Sequence, residues 1–341
     1  MNGKPQMNKA VLYEKQENNQ VICHLCAHQC HISNGKLGLC HVRKNMDGDL
    51  FTLNSGRVVA MNMDPIEKKP LYHFLPGSKS FSIAAMGCNF SCRFCQNHSI
   101  SMVQAEHDIQ GDMVTSEQLV AIALRNRARS ISYTYTEPTV FFERVLETSK
   151  LAHNAGLKNV LVSNGYMSGQ ALSLLGPYLD AANIDLKSFS DDFYKKYCSA
   201  RLKPVLETIT ALKAMKIWLE ITTLLIPGLN DDRNDILRLV SFLYDLDANI
   251  PWHVSRFFPQ YQLQDIPPTS PDSICEILQI GAEKGLKFLY GGNMADSVWD
   301  DTRCPQCHET LIKRSGYHIE NIGLQAGKCR FCKTGIPGVW E

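Results

Sequence analysis

The stretch "SFSIAAMGCNFSCRFCQN" (residues 80–97) joins a β-prone apolar run to a glycine-led loop that holds Cys88, Cys92 and Cys95 in a C-x3-C-x2-C spacing. Three thiolates are one fewer than the four that close a structural zinc or a complete cysteinyl iron–sulfur cluster. A four-iron cluster held by three cysteines keeps one iron open, and an open iron can take a substrate or cofactor. The competing reading of the same loop is a three-cysteine zinc site completed by His98.

The strand that feeds this loop is the first of a series. Further β-prone runs stand at 130–138, 159–165, 181–187, 217–228 and 251–260, separated by longer helical patterns. In the first such pattern, "TSEQLVAIALRNRAR", Thr115 and Gln118 suit a capping box, and Leu119, Ile122 and Ala123 begin an apolar stripe. Alternating strands and helices predict an α/β fold with parallel strands and right-handed crossovers. Six units, with a further strand at "KFLYGG" (287–292), predict a partial (β/α)6 barrel over residues 76–298. A flat doubly wound sheet is the alternative, since periodicity does not show closure. The barrel is favoured by where the distinctive residues fall. Cys88, Cys92 and Cys95 follow the first strand, Glu137 ends the second, Ser163 and Asn164 the third, Asp185 and Lys187 the fourth, and Arg256 lies late in the sixth. The C-terminal ends of parallel barrel strands converge on one face, which turns this dispersed set into one site.

Composition narrows the classes. The chain has 341 residues and a formal net charge of +1, which gives no broad positive field for nucleic acid. The start "MNGKPQMNKA" lacks a secretory apolar region, and no stretch approaches the about 18 apolar residues of a membrane span. A soluble, cytoplasmic protein with neither nucleic-acid nor membrane partners is expected. The "EKKPLYHFLPG" stretch (67–77) is read as a lid or packing segment, its two lysines being too few for a nucleic-acid patch.

The 13 cysteines are an odd number, and all but Cys198 and Cys275 fall into three tight groups. In a reducing compartment such groups are metal ligands more often than disulfides. The two singletons read as small buried hydrophobes. In the segment 299–341, Cys304, Cys307, Cys329 and Cys332 form C-x2-C-x21-C-x2-C, the pattern of a zinc ribbon. In the segment 1–75, Cys23, Cys26, Cys30 and Cys40 are spaced less regularly. They suit either a second structural zinc, with His24, His28, His31 or His41 as a substitute ligand, or an auxiliary iron–sulfur cluster.

The C-x3-C-x2-C loop after a first barrel strand, with Phe94 before the third cysteine, resembles the signature of the radical S-adenosylmethionine (radical SAM) superfamily. The resemblance implies a 4Fe-4S cluster on Cys88, Cys92 and Cys95, with S-adenosylmethionine chelating the open iron. It also implies a 5′-deoxyadenosyl radical that abstracts hydrogen from substrate. "YTYTEP" stands where the superfamily has glycine-glycine-glutamate, so Glu137 matches the acid that meets the amino group, while the glycines are missing. "IDLK" resembles the aspartate-x-lysine pair of glycyl-radical-enzyme activases such as the pyruvate formate-lyase activating enzyme, which points Lys187 at the cofactor carboxylate. The same resemblance places Phe94, Ser163, Asn164 and Asp185 around the cofactor, while Arg256 either faces the cofactor site or pairs with a neighbour. The ordered set from "CHLCAHQCHISNGKLGLCHVR" through "SNGY" and "PWHVSRFFP" to "IPGVW" is similar to the AmmeMemoRadiSam-system radical SAM proteins. That likeness implies AMMECR-like and Memo-like partners and reduction by flavodoxin or ferredoxin. The expected target is a partner protein's backbone glycine, as in activases. Radical modification of a small molecule is the alternative, and a cluster scaffold or redox sensor that never turns over is the alternative outside enzymes.

Overall fold

A computed structural model describes residues 8–294 and 298–341. Its centre is an eight-stranded sheet made of β1 (Ala60–Pro65), β2 (Lys79–Ala84), β3 (Ser130–Tyr133), β4 (Lys158–Ser163), β5 (Ala181–Asp185), β6 (Trp218–Leu225), β7 (Trp252–Arg256) and β8 (Leu289–Gly292). Each strand lies beside its successor in the chain. β1 and β2 are antiparallel, and every later pair is parallel. The parallel crossovers carry α1 (Ser116–Arg125), α2 (Phe142–Asn154), α3 (Gly169–Leu175), α4 (Leu202–Ala214), α5 (Arg233–Asp247) and α6 (Pro271–Lys284). β1 and β8 do not pair with each other among the described residues, so the sheet is open.

The expected strands form, and "KFLYGG" supplies the last of them. The sheet also takes in β1, which comes from the connecting stretch before residue 76. Several strands end sooner than their β-prone runs because the chain turns through left-handed backbone soon after them, at Gly87, Tyr135, Gly165 and Gly228. Local sequence holds the helices in register. Thr115 accepts from the Gln118 N–H at 3.2 Å, and Gln118 accepts from the Thr115 N–H at 2.8 Å, closing the capping box of α1. Leu119 and Ala123 of α1, Val145 and Ala152 of α2, and Leu239 and Leu243 of α5 are buried in one core cluster.

The residues 66–75 are a packing segment at the N-terminal ends of the strands. The carboxylate of Glu220, third residue of β6, is fully buried there. It accepts from the backbone N–H groups of Tyr72 and His73, from Trp218 Nε1 at 3.0 Å and from His253 Nε2 at 2.7 Å. His73 Nδ1 faces the Pro337 carbonyl at 2.7 Å and must donate to it, which leaves Nε2 to accept from the Tyr290 hydroxyl at 2.6 Å. Burial holds His73 down at about 4, so it stays neutral in that role. Arg314 donates to the Tyr72 carbonyl and to Thr302, with its guanidinium 4.1 Å from the centre of the Tyr72 ring. Through these bonds the C-terminal module is seated on the strand ends opposite the cysteine loop. Gly338 is required at the seam, since a Cβ there would lie 2.4 Å from Trp340 and 2.8 Å from the His73 carbonyl.

The N-terminal module contains two three-stranded antiparallel sheets and leans on the other end of the strands. Ala27 donates to the Tyr166 carbonyl and Ser168 to the Leu25 carbonyl, both at 3.0 Å. A Cβ at Gly87 would lie 2.8 Å from Val42, so this glycine lets the module close on the loop that begins at Cys88. No helix among the described residues is long and apolar enough to cross a membrane.

Candidate active site

Cys88, Cys92 and Cys95 follow β2 on a loop held from several sides. Within it, the Phe90 N–H points at Cys88 Sγ at 3.3 Å. Ser91 and Arg93 donate to the carbonyls of Cys198 and Tyr197, each at 3.0 Å, which fastens the loop to the turn after β5. Burial pushes the Cys88 thiol well up, and Glu137 adds to this. The Cys92 thiol is lowered instead, chiefly by a hydrogen bond from Cys198. Cys198 is indeed buried, as a singleton hydrophobe would be, but it lies against a predicted cluster ligand.

Glu137 does not end β3 as expected: it is buried four residues beyond that strand, at the start of a short turn of helix, and joins β3 to β4. Its Oε1 accepts from the Thr139 N–H at 3.0 Å and from Ser163 Oγ at 2.8 Å, and its Oε2 from the Asn164 N–H at 2.8 Å. Burial raises its carboxyl, and these donors work against that rise. Asn164 reaches back to the cysteine loop, with Nδ2 2.7 Å from Asn89 Oδ1 and 3.8 Å from Cys88 Sγ. The missing glycines have a structural counterpart. Tyr135 holds φ 65°, a conformation costly for a bulky residue, and its hydroxyl donates to Asp64, which also pairs with buried Lys69 at 2.6 Å.

Asp185 ends β5, and Lys187 stands two residues on with Nζ 2.8 Å from Asp185 Oδ2. Burial opposes the charge on Lys187, but Asp185 and the thiols of Cys92 and Cys198 outweigh it and raise its pKa. The ammonium lies 5.9 Å from the ring centre of Phe94, which is itself buried. Arg256 ends β7 on the same edge of the sheet. Its Nε donates to the Thr269 carbonyl at 2.8 Å and its guanidinium covers Phe258, so its bonds stay within its own loop. That loop crosses to the cysteines: Gln262 donates to the Arg93 carbonyl at 2.9 Å, and Tyr261 stacks on His98 with ring centres 4.7 Å apart.

Sequence reasoning missed Asn89, Cys198 and the strained Tyr135. Asn89 lies inside the quoted loop, where the cysteines drew the reading. Cys198 has no neighbouring ligand in the chain, and only folding brings it to Cys92. At the C-terminus, Cys304, Cys307, Cys329 and Cys332 bring four sulfurs within 4.8 Å of one another, with Cys304 and Cys332 at 3.5 Å and Cys307 and Cys329 at 3.6 Å.

Residues 83–240, from the end of β2 into α5, match the model of the radical SAM superfamily. The uncharacterized protein MJ0808 of Methanocaldococcus jannaschii is 41% identical over 97% of this chain and 99% of its own length. A putative glycyl-radical enzyme activating enzyme of the same organism, MJ1632, is 24% identical over 62% of this chain and 79% of its own. The crystal structure of SuiB from Streptococcus suis with its precursor peptide shares the fold, at TM-score 0.51 and 12% identity over 68% of this chain and 52% of that one. The superfamily match takes in the cysteine loop, so the chain carries a radical SAM superfamily domain, and with a full-length relative at this identity it belongs to one family with MJ0808.

Proposed function

We propose that this protein is an activase-like radical SAM enzyme that abstracts a hydrogen atom from a backbone glycine of a partner protein. Superfamily membership implies a 4Fe-4S cluster and S-adenosylmethionine, and the residues present fit both. Among the described residues, no three ligand atoms drawn from Cys88, Cys92 and Cys95 lie within 4.8 Å of one another, whereas a tetrahedral zinc needs sulfurs about 3.8 Å apart. Thiols spread this way suit a cluster, in which each binds its own iron. With both bound, the cluster, once reduced by an external donor, would supply the one electron that splits the cofactor's sulfonium into methionine and a 5′-deoxyadenosyl radical.

The chain's own residues hold and shield these groups. Among the described residues Glu137 Oε2 has a single protein donor, the Asn164 N–H, and it is the oxygen we assign to the cofactor's amino group. Lys187, kept charged and aimed by Asp185, is assigned to its carboxylate. Phe94 fills the space beneath Lys187, while Ser163 and Asn164 fix the turn that would meet the ribose. The Asp185–Lys187 pair beside Cys92 carries the activase reading, and the likeness to MJ1632 supports it. The segment from Phe257 to Thr269, packed on Arg93 and His98, favours a second reading in which the mouth is narrowed for a small molecule. AMMECR-like and Memo-like proteins are the proposed partners, and a flavodoxin or ferredoxin the proposed donor. Each candidate, deuterated at glycine, is incubated with reduced enzyme. Deuterium in 5′-deoxyadenosine with a protein partner supports the activase reading, and deuterium only from a small molecule replaces it.

Lys187→Met removes a charge-assisted contact worth roughly 1.5–3 kcal/mol. Affinity for S-adenosylmethionine should fall about ten- to hundredfold while iron content holds, as equilibrium binding will show. For the C-terminal quartet we propose structural zinc, since four converging thiols leave no open position. Cys329→Ser should release that zinc and unfold the module, because its small core, including Leu311, Ile312 and Ile336, is coupled to the metal. Zinc analysis and limited proteolysis between Asp301 and Glu341 check this.

A further inference from the structure

The N-terminal quartet differs in kind from the C-terminal one. Cys23 ends a strand, Cys26 pairs across to Met167 beyond β4, and Cys30 and Cys40 stand before the next two strands. All four side chains line one pocket, together with His28, Arg43 and Asn89. Among the described residues, no three of these four sulfurs come within 4.8 Å of one another, unlike those of Cys304, Cys307, Cys329 and Cys332. The same fold thus draws one quartet tight enough for a single ion and spreads the other around a space. Of the histidines weighed as substitute ligands, His28 lines the pocket while His24, His31 and His41 stand off its wall. His28 Nε2 donates to the Asn89 carbonyl at 2.7 Å, His41 Nδ1 faces the Gln104 carbonyl at 3.3 Å, His24 lies 3.5 Å from Glu14, and His31 is exposed and off the cavity wall.

Arg43 Nε and Asn89 Nδ2 are buried donors in the wall with no partner among the described residues. An orphaned buried donor is costly unless something in the site accepts from it. Arg43 is buried, its Nη1 is 3.8 Å from Cys23 Sγ, and it pairs with Glu143. Bridging sulfides and thiolates are acceptors, and an anionic cluster in a buried space calls for a nearby cation. We infer that Cys23, Cys26, Cys30 and Cys40 hold an auxiliary iron–sulfur cluster, with Arg43 and Asn89 donating to its sulfurs. Asn89 stands on the catalytic loop beside Cys88 and also receives the Asn164 amide that lies 3.8 Å from Cys88 Sγ, so the catalytic loop itself forms part of this cluster's wall.

The test uses full-length protein reconstituted anaerobically with iron and sulfide, and does not depend on turnover. In a Cys88→Ala, Cys92→Ala, Cys95→Ala triple variant, about two to four irons with matching acid-labile sulfide should remain per chain, and Mössbauer spectra give the nuclearity. Cys26→Ser in the otherwise native protein should lose that same amount and keep the catalytic cluster. If the triple variant does not fold, the iron lost by Cys26→Ser relative to native protein decides alone. A folded triple variant with no iron and about two zinc ions per chain would overturn the inference in favour of a second zinc site. Failure of the native protein to cleave S-adenosylmethionine would count against the proposed function but not against this cluster.

Discussion

Replacing Cys88, Cys92 or Cys95 singly by alanine is expected to remove the catalytic cluster, about four irons per chain, and with it all cleavage of S-adenosylmethionine. Each thiol holds its own iron, so two that remain cannot replace the third. The loop itself should persist, because Ser91 and Arg93 anchor it by backbone bonds to Cys198 and Tyr197 that no cysteine side chain makes. Cys198 is the informative control. It lies against Cys92 and would be a fourth thiol if the loop held a closed cluster. Cys198→Ala should keep wild-type iron content, as an open three-thiol site requires. Iron and sulfide analysis of the four variants tests the set. Retention of those four catalytic irons by any of the first three, or loss of iron from Cys198→Ala, would count against an open iron.

The largest effect on stability is expected from Glu220→Ala. The substitution strips four donors of their acceptor at once and leaves His253, Trp218 and two backbone N–H groups buried and unpaired. His253 holds the Glu220 carboxyl below its usual value in spite of burial, the mark of a pair whose partner suffers when one side is removed. Breaking such a pair costs about 3–5 kcal/mol. At this size that lowers Tm by about 4–7 °C. The loss falls at the N-terminal strand ends, where the His73 segment and the C-terminal tail dock, so iron at the opposite ends should be unchanged. Calorimetry with iron analysis separates the two. A Tm within a degree of wild type would show that the network is not structural.

Much of this arrangement was legible in the chain. Cys88, Cys92 and Cys95 are local in sequence, so spacing alone proposes their joint role. Glu137, Asn164, Asp185 and Lys187 were legible through one further step, that parallel strands bring their C-terminal ends to one edge. Contacts made only by tertiary packing were not. Asn89 meets Asn164 across 75 positions, and Arg43 meets Glu143 across 100, with no period or motif to announce either. Tyr135 was misleading for a different reason. A glycine-like backbone is held there by a residue that carries no sign of it, because Asp64 and Lys69 secure the side chain from a distant segment. The width of the N-terminal quartet is likewise set by Arg43, Asn89 and the docking of Cys26 on Met167, none of which its C-x2-C-x3-C-x9-C spacing contains.

The central claim is that the edge formed by Cys88, Glu137, Asn164 and Lys187 is a radical SAM active site. Its most direct test is 5′-deoxyadenosine formed from S-adenosylmethionine by the anaerobically reconstituted, dithionite-reduced protein. Formation by native protein, absent from the Cys88→Ala, Cys92→Ala, Cys95→Ala variant, is the predicted result. Equal formation by that variant, or none by native protein with its full iron content, would contradict it.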